Sequence, residues 1–341
     1  MKQKKIRQQR CVIIAEAGVN HNGSLALAKK MIHAAVRANA DYIKFQVFNP
    51  AAVVTAKAPK AGYQQITTGA REGQRKMLEK LCLSQDQFRL LQQECQKQGI
   101  GFLATAFDLE SLKFVESLRP DFHKISSGDI DNLPFLRQVA RYGRLVLLST
   151  GMATLAEIRQ ALTTLSKAGL SKRKVTVLQC HTEYPTRPEE ANLRVMDLLH
   201  RKFKVCSGLS DHTQGITVSL AAAARGASVI EKHFTLRRGM RGPDHRASLA
   251  PGELALLVKG IREVESALGN GMKYPNHRET KIKNQVRKFL VANRPIRKGD
   301  IFTPANLGLK RSGGGIPASR WDFYVGKKSQ QNYRPEDKIR A

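Results

Sequence analysis

Short apolar runs rich in β-branched residues recur along most of the chain, each followed by a stretch whose apolar positions lie three and four apart. Eight runs stand out: Val12–Ala15, Tyr42–Val47, Gly101–Ala104, Phe122–Ile125, Leu145–Ser149, Val175–Cys180, Lys204–Leu209 and Val229–His233. Runs of this length predict strands, and spacings of three and four predict helices packed by one face. The first intervening stretch carries Leu25, Ala28, Ile32 and Ala35 on one face, and the fifth carries Leu155, Ile158, Leu162 and Leu165. Thr154, with Glu157 three residues on, predicts a capping box at the start of that fifth helix. Further helices are expected over Ser84–Gln98, Glu110–Leu118, Leu133–Tyr142, Leu193–Arg201, Ile216–Arg225 and Gly252–Leu268.

Eight strand-helix units in about 270 residues predict an α/β fold, a closed parallel (β/α)8 TIM barrel with an outer ring of helices. The pattern changes after Gly269: a polar, basic stretch over Lys273–Arg287 leads to the apolar Phe289–Ile296, a Lys298-Gly299-Asp300 turn and a glycine-rich turn at Gly313–Gly315. We therefore expect a barrel over 1–272, a linker over 273–284 and a separate small domain over 285–341.

In such barrels the active site lies at the C-terminal ends of the strands. Polar residues gather there in every unit. The first strand ends in Glu16 and Asn20-His21-Asn22-Gly23; the second carries Lys44 and Gln46, two apart and so on one face. Thr105 and Asp108 follow the third, and Lys124, Ser126, Ser127, Gly128 and Asp129 the fourth. Ser149, Glu183-Tyr184, Ser210 to Thr213 and Glu231-Lys232-His233 close the remaining four.

His212 and His233 end adjacent strands, and two imidazoles suit a divalent transition ion acting as a Lewis acid on a carbonyl. Lys44 and Lys124 lie in apolar strands, where an ammonium is costly unless it meets an anion. They read either as a phosphate or carboxylate clamp, with the hydroxyls of Thr105, Ser127 and Ser149 favouring that role, or as the nucleophile of a Schiff-base pyruvate aldolase. Glu16 and Asp244 are candidate carboxylates for binding sugar hydroxyls or for proton transfer. Arg311, beside the glycine-rich turn, reads on its own as a surface charge.

Composition narrows the class. Hydrophobic residues make up 41% and charged residues 25%, and no apolar stretch approaches the length of a membrane span, so no membrane partner is expected. The basic start Met1 to Arg10 lacks a signal peptide's apolar region, and five scattered cysteines without a CxxC pair suggest reduced thiols; a cytoplasmic location is expected. The formal charge of +30 suggests an anionic partner. Its cations are dispersed and aromatics are only 6%, so no specific nucleic acid is expected, leaving a basic nucleic-acid-binding module as the non-enzymatic alternative. Steering of an anionic substrate is one use for the charge.

From Ile13 to about Lys328 the chain resembles the sialic acid synthase family, which makes N-acetylneuraminic, legionaminic and pseudaminic acids. The segments that carry the resemblance are IIAEAGVNHNGSLALAKKMI (13–32), IKFQVF (43–48), FLATAFD (102–108), KISSGDIDNLPFL (124–136), STGMATLAEI (149–158), CHTEYPTRPEEANL (180–193), GLSDHTQG (208–215), EKHFT (231–235), GPDH (242–245) and KRSGGGI (310–316). The resemblance implies a metal-dependent barrel with a C-terminal antifreeze-like (SAF, β-clip) domain, in a homodimer whose SAF domains swap over the partner's active site. It implies that His212 and His233 bind the metal, manganese foremost, with magnesium or cobalt as alternatives. Phosphoenolpyruvate would be held by Lys44, Thr105, Lys124, Ser127 and Ser149. The N-acylated amino sugar would meet Glu16, Gln46, Thr182, Tyr184 and Asp244, and Arg311 from across the dimer. Asp129 stands where the family carries a Glu proposed to handle a proton or the attacking water, and it is one methylene shorter. His181 stands where relatives often carry a small or amide residue.

The reaction implied is condensation of phosphoenolpyruvate with the open-chain sugar, addition of water, and release of phosphate by C–O cleavage. The segments APKAGYQ (58–64) and HTEYPT resemble the N-acetylneuraminate branch, so N-acetylmannosamine is the expected sugar. Legionaminic acid synthase, using a 2,4-diacetamido-trideoxy sugar, is the alternative.

Overall fold

The computed structural model describes residues 10–69 and 71–340. The basic stretch before Arg10 lies outside the described residues. Two compact units divide the chain after Gly269.

In the first unit eight parallel strands close in sequence order into a barrel. They are β1 Val12–Gly18, β2 Tyr42–Val47, β3 Gly101–Ala106, β4 Phe122–Ile125, β5 Leu145–Ser149, β6 Val175–Cys180, β7 Cys206–Asp211 and β8 Val229–His233. The expected runs match, with β1 and β3 continuing past their apolar segments into the polar ends and β7 beginning and ending two residues later than its run. The expected helices form as well, including Leu133–Tyr142 with unchanged bounds and Leu155–Lys167, where Thr154 and Glu157 make the reciprocal capping box. Between β2 and β3, three short helices at Pro50–Val53, Gly62–Thr68 and Gln74–Glu79 were not anticipated, because segments this short show too few turns for a period to register.

Each strand presents alternate residues to opposite faces. The outward set, including Ile13, Ala15, Ile43, Phe45 and Val177, packs under the helices in the main core. The inward set is layered. Its lower part is apolar, with Ile14, Leu103, Leu147, Leu178 and Val229 as a buried cluster inside the barrel. Gly208 belongs to this level because a Cβ there would stand 2.4 Å from the Val229 carbonyl oxygen and 2.8 Å from Leu178. One or two pleats further along the same faces, the inward residues become polar, so the barrel is plugged below and chemically equipped above.

In the second unit, which begins at Asn270, the basic stretch includes a helix at His277–Val286. Beyond it β9 Phe289–Ala292 pairs antiparallel with β10 Leu307–Lys310. Leu290, Ala292, Ile296, Phe302, Leu307, Tyr333 and Ile339 form a core of this unit's own. Among the described residues no helix is long and apolar enough to cross a membrane, and all five cysteines are free thiols.

Candidate active site

Parallel register sets the upper layer of the barrel. Glu16 pairs in register with Lys44 on β2 and with His233 on β8, Gln46 with Thr105, Thr105 with Lys124, and Ser210 with Glu231. Side chains distant in sequence therefore stand at one level around the barrel mouth. They line a cavity of about 620 Å3. Glu16, Lys44, Gln46, Thr105, Lys124, Ser127, Asp129, Ser149, Thr182, Tyr184, His212 and His233, all named from sequence, share it. Asp244 is buried and lines an adjoining chamber with Gln46, Tyr184 and His233. Arg311 follows β10 in the second unit and is exposed there.

The centre is an ionic cluster shut away from solvent. Lys44 Nζ lies 2.9 Å from Glu16 Oε2 and 3.6 Å from Glu231 Oε2, and donates to Thr105 Oγ1 at 2.8 Å. Lys124 Nζ lies 3.6 Å from Glu231 Oε1, which also accepts from Ser210 Oγ at 3.1 Å. Burial alone would push the Glu231 carboxyl up, but Lys124 and Lys44 outweigh it and hold the group at about 2. Burial lowers the Lys124 ammonium, and Glu231 offsets only part of the loss. Two cations beside a poorly solvated pocket form a place where a multiply charged anion gains direct pairing. Ser149 Oγ is buried without a hydrogen-bond partner, and Ser127 Oγ accepts from Gly151 N at 2.9 Å.

The histidine side fits a divalent ion. The His212 and His233 rings are 5.5 Å apart, centroid to centroid. His212 Nδ1 donates to the His181 carbonyl, and its Nε2 lies 3.1 Å from Tyr184 Oη; burial alone would lower this imidazole, but Cys180 outweighs it and raises it, a shift that a bound cation would oppose. His233 Nδ1 is buried with no hydrogen-bond partner. Burial first, then the neighbouring His212, push His233 well below the ordinary imidazole range, toward the neutral form a metal needs. A second group, His181, Glu183 and Glu190, brings potential ligand atoms within 4.8 Å of one another on the loop after β6. Its His181 Nδ1 already accepts from Glu183 N at 3.3 Å.

The remaining polar signals divide between chemistry and architecture. Burial, with the charge of Glu16, raises Asp244 to about 7, so this carboxyl is only partly ionised near neutrality. Asp129 is raised by burial, and its oxygens accept from Ser126 Oγ at 3.0 Å and Asn132 Nδ2 at 3.1 Å. Asn20 is structural, donating to the Phe234 carbonyl and to Ser248 Oγ, both at 2.9 Å. Asp108 is a helix cap, accepting from Ser111 N at 2.8 Å. Lys232 and Asp211 turn outward: Lys232 Nζ meets Asp211 Oδ2 at 2.8 Å and the Thr213 carbonyl at 2.6 Å, behind the two histidines.

Glu231 was not among the residues singled out for the site. The signal was its period: two residues before His233 on one strand, it must share the inward face. Cys180 and Ser210, also cavity-lining, follow by the same count. Tyr63, which stacks on Tyr184 with centroids 5.1 Å apart, comes from the excursion between β2 and β3 and carried no such signal.

Residues 31–273 match the model of the NeuB family, and residues 287–341 match the SAF domain. An N,N'-diacetyllegionaminic acid synthase of Campylobacter jejuni is 47% identical over 332 residues, 97% of this chain and 99% of that protein. The enzyme of the same name from Legionella pneumophila is 39% identical, covering 94% of this chain and 91% of that one. Among solved structures, the N-acetylneuraminic acid synthetase of Leptospira borgpetersenii superposes with a TM-score of 0.70 at 34% identity, over 80% of this chain and 89% of that one.

Proposed function

Since this chain belongs to the NeuB family and ends in its SAF domain, we propose that it condenses phosphoenolpyruvate with a 2,4-diacetamido-trideoxy sugar, the reaction of an N,N'-diacetyllegionaminic acid synthase. The choice of sugar departs from the N-acetylmannosamine expected from the APKAGYQ and HTEYPT segments. It is carried by one observation: the two relatives with 47% and 39% identity bear that name. N-acetylmannosamine is the second reading, favoured by the likeness to the Leptospira synthetase.

The residues suit the chemistry. Lys44 and Lys124 neutralise phosphoenolpyruvate, whose phosphate and carboxylate oxygens accept from Thr105, Ser127 and Ser149. His212 and His233 hold a divalent ion, manganese foremost, whose chemistry is that of a Lewis acid toward the sugar's carbonyl oxygen. Glu16, Gln46, Thr182 and Tyr184 bind and orient the open-chain sugar so that its aldehyde carbon faces the methylene carbon of phosphoenolpyruvate. A new C–C bond between these carbons leaves an oxocarbenium at the adjacent carbon. Asp244, which burial raises so that a proton-bearing form persists near neutrality, supplies the proton that the aldehyde oxygen gains. Water adds to the oxocarbenium with Asp129 taking one proton; the tetrahedral carbon then collapses, the C–O bond to phosphate breaking as the ketone C=O forms and the hydroxyl proton leaves with the phosphate. Arg311 is assigned to the sugar from the SAF domain of a swapped homodimer, a role supported by the resemblance of KRSGGGI (310–316).

The test is phosphate release from purified protein with manganese, phosphoenolpyruvate and each sugar in turn, with and without chelator. Faster release with the diacetamido sugar, abolished by chelator, is expected. A borohydride-stable lysine adduct with activity surviving chelation would instead support the Schiff-base aldolase.

A further inference from the structure

The cavity has a side chamber unlike the rest of its wall. It measures about 230 Å3 and shares Gln46, Tyr184, Val53 and Phe107 with the main cavity; Asp244 and the apolar Val19, Phe48, Met77 and Leu81 line it as well. Val19, Met77 and Leu81 are buried and form, with Phe48 and Leu78 against them, a hydrophobic cluster separate from the barrel core. The two amides that also line it are engaged. Gln64 Oε1 accepts from Ala61 N at 3.1 Å and from Gln74 Nε2 at 3.4 Å, and Gln64 Nε2 donates to Tyr63 Oη at 3.3 Å.

This wall is built rather than draped. Its residues 53, 77 and 81 belong to the excursion between β2 and β3, which is anchored by Lys60, whose side chain is 1% exposed. Lys60 Nζ donates to Thr68 Oγ1 at 3.0 Å and to the Gly69 carbonyl at 2.9 Å, and lies 3.4 Å from Glu72. A buried ammonium spent on loop carbonyls and hydroxyls fixes the chamber's shape before any substrate arrives.

We propose that this chamber selects the sugar, receiving the methyl groups by which a diacetamido-trideoxy sugar differs from N-acetylmannosamine; the inference rests on the reaction proposed above. The two sugars differ where a hydroxyl is replaced by an acetamido group and a hydroxymethyl by a methyl. A methyl group gains burial against Phe48, Met77 and Leu81, side chains that offer a hydroxyl no hydrogen bond, while the acetamido N–H and C=O have Gln46, Tyr184 and Asp244 on the same chamber's wall. Five non-hydrogen atoms, one acetamido group and one methyl, need roughly 150 Å3 at about 30 Å3 each, which the chamber supplies. Pockets of this kind discriminate by roughly 10- to 200-fold per apolar group.

The experiment compares kcat/KM for the two sugars in wild type, Met77→Gln and Val53→Thr, with N-acetylmannosamine scored as competitive inhibitor if its turnover is too slow to follow. Each variant is expected to lose about tenfold with the diacetamido sugar while N-acetylmannosamine changes less than twofold. Equal losses for both sugars, or an unchanged ratio, would overturn the inference, since a chamber holding the shared N-acetyl group moves both together. Val53 lies at the rim and Thr matches its shape, so that variant decides the matter if Met77→Gln does not fold. Wild-type release with N-acetylmannosamine alone overturns the chamber's role and leaves the condensation intact; no release with any sugar overturns the reaction itself.

Discussion

Replacing Lys232 with Met removes a cation buried behind the two histidines. Its partner Asp211 is 1% exposed at the side chain and accepts four hydrogen bonds: Lys232 Nζ at 2.8 Å, Ser219 Oγ at 2.5 Å, and Thr213 N and Oγ1 both at 2.8 Å. Met fills the stem's volume, so the cavity term is small, and the cost is that of a buried carboxylate left without its cation. Breaking such a pair costs about 3–5 kcal/mol, and the three remaining donors put the figure near the lower end. At ~2–4 °C per kcal/mol, that is a fall of roughly 6–12 °C in the barrel's melting transition. Lys232→Met combined with Asp211→Asn removes the stranded charge and should recover at least half of the loss. Because Asp211 and Lys232 are register partners on β7 and β8 and precede His212 and His233 directly, the single variant should also bind manganese about tenfold more weakly by titration calorimetry. A loss under about 1 kcal/mol, or no recovery in the double variant, would refute the reasoning that the pair's value lies in mutual neutralisation.

Two further outcomes follow from the geometry. His21 is 1% exposed, and burial pushes its pKa from 6.5 down to about 4. A depressed folded-state value means stability that is whole above pH 6.5 and drains as pH falls toward 4, by about 3 kcal/mol; denaturant titrations of His21→Asn across that window should show a flatter slope. In Gly151→Ala the new Cβ would stand 2.6 Å from Thr182 Cγ2 and 2.9 Å from Ser127 Oγ. We expect kcat/KM for phosphoenolpyruvate to fall at least tenfold with little change in melting temperature, and an unchanged value would remove Ser127 from the proposed anion site.

How much of the site was legible follows from the period of the strands. Lys44 with Gln46, and His233 at the end of β8, announce themselves by alternation, and the same count reaches Glu231 and Ser210. Alternation alone does not say which polar residue of a run is chemical. Asp211 and His212 are neighbours, yet one holds the backbone behind the site and the other faces into it. Asn20 and Asp108 looked equally suited to chemistry and serve as a loop tie and a helix cap.

Local periodicity by itself determined the eight strands, the helices between them and the change of pattern after Gly269, because burial of one face is written in spacings of two or of three and four. It also determined that each strand turns polar at its C-terminal end. Only the tertiary structure decided that Glu231 stands between Lys44 and Lys124, since barrel closure and register, not chain distance, set those neighbours. Only it decided that the excursion between β2 and β3 brings Tyr63 onto Tyr184 and walls an apolar chamber with Met77 and Leu81. Those contacts join residues more than a hundred positions apart or belong to helices too short to show a period, and no local pattern encodes a meeting that depends on how the whole barrel closes.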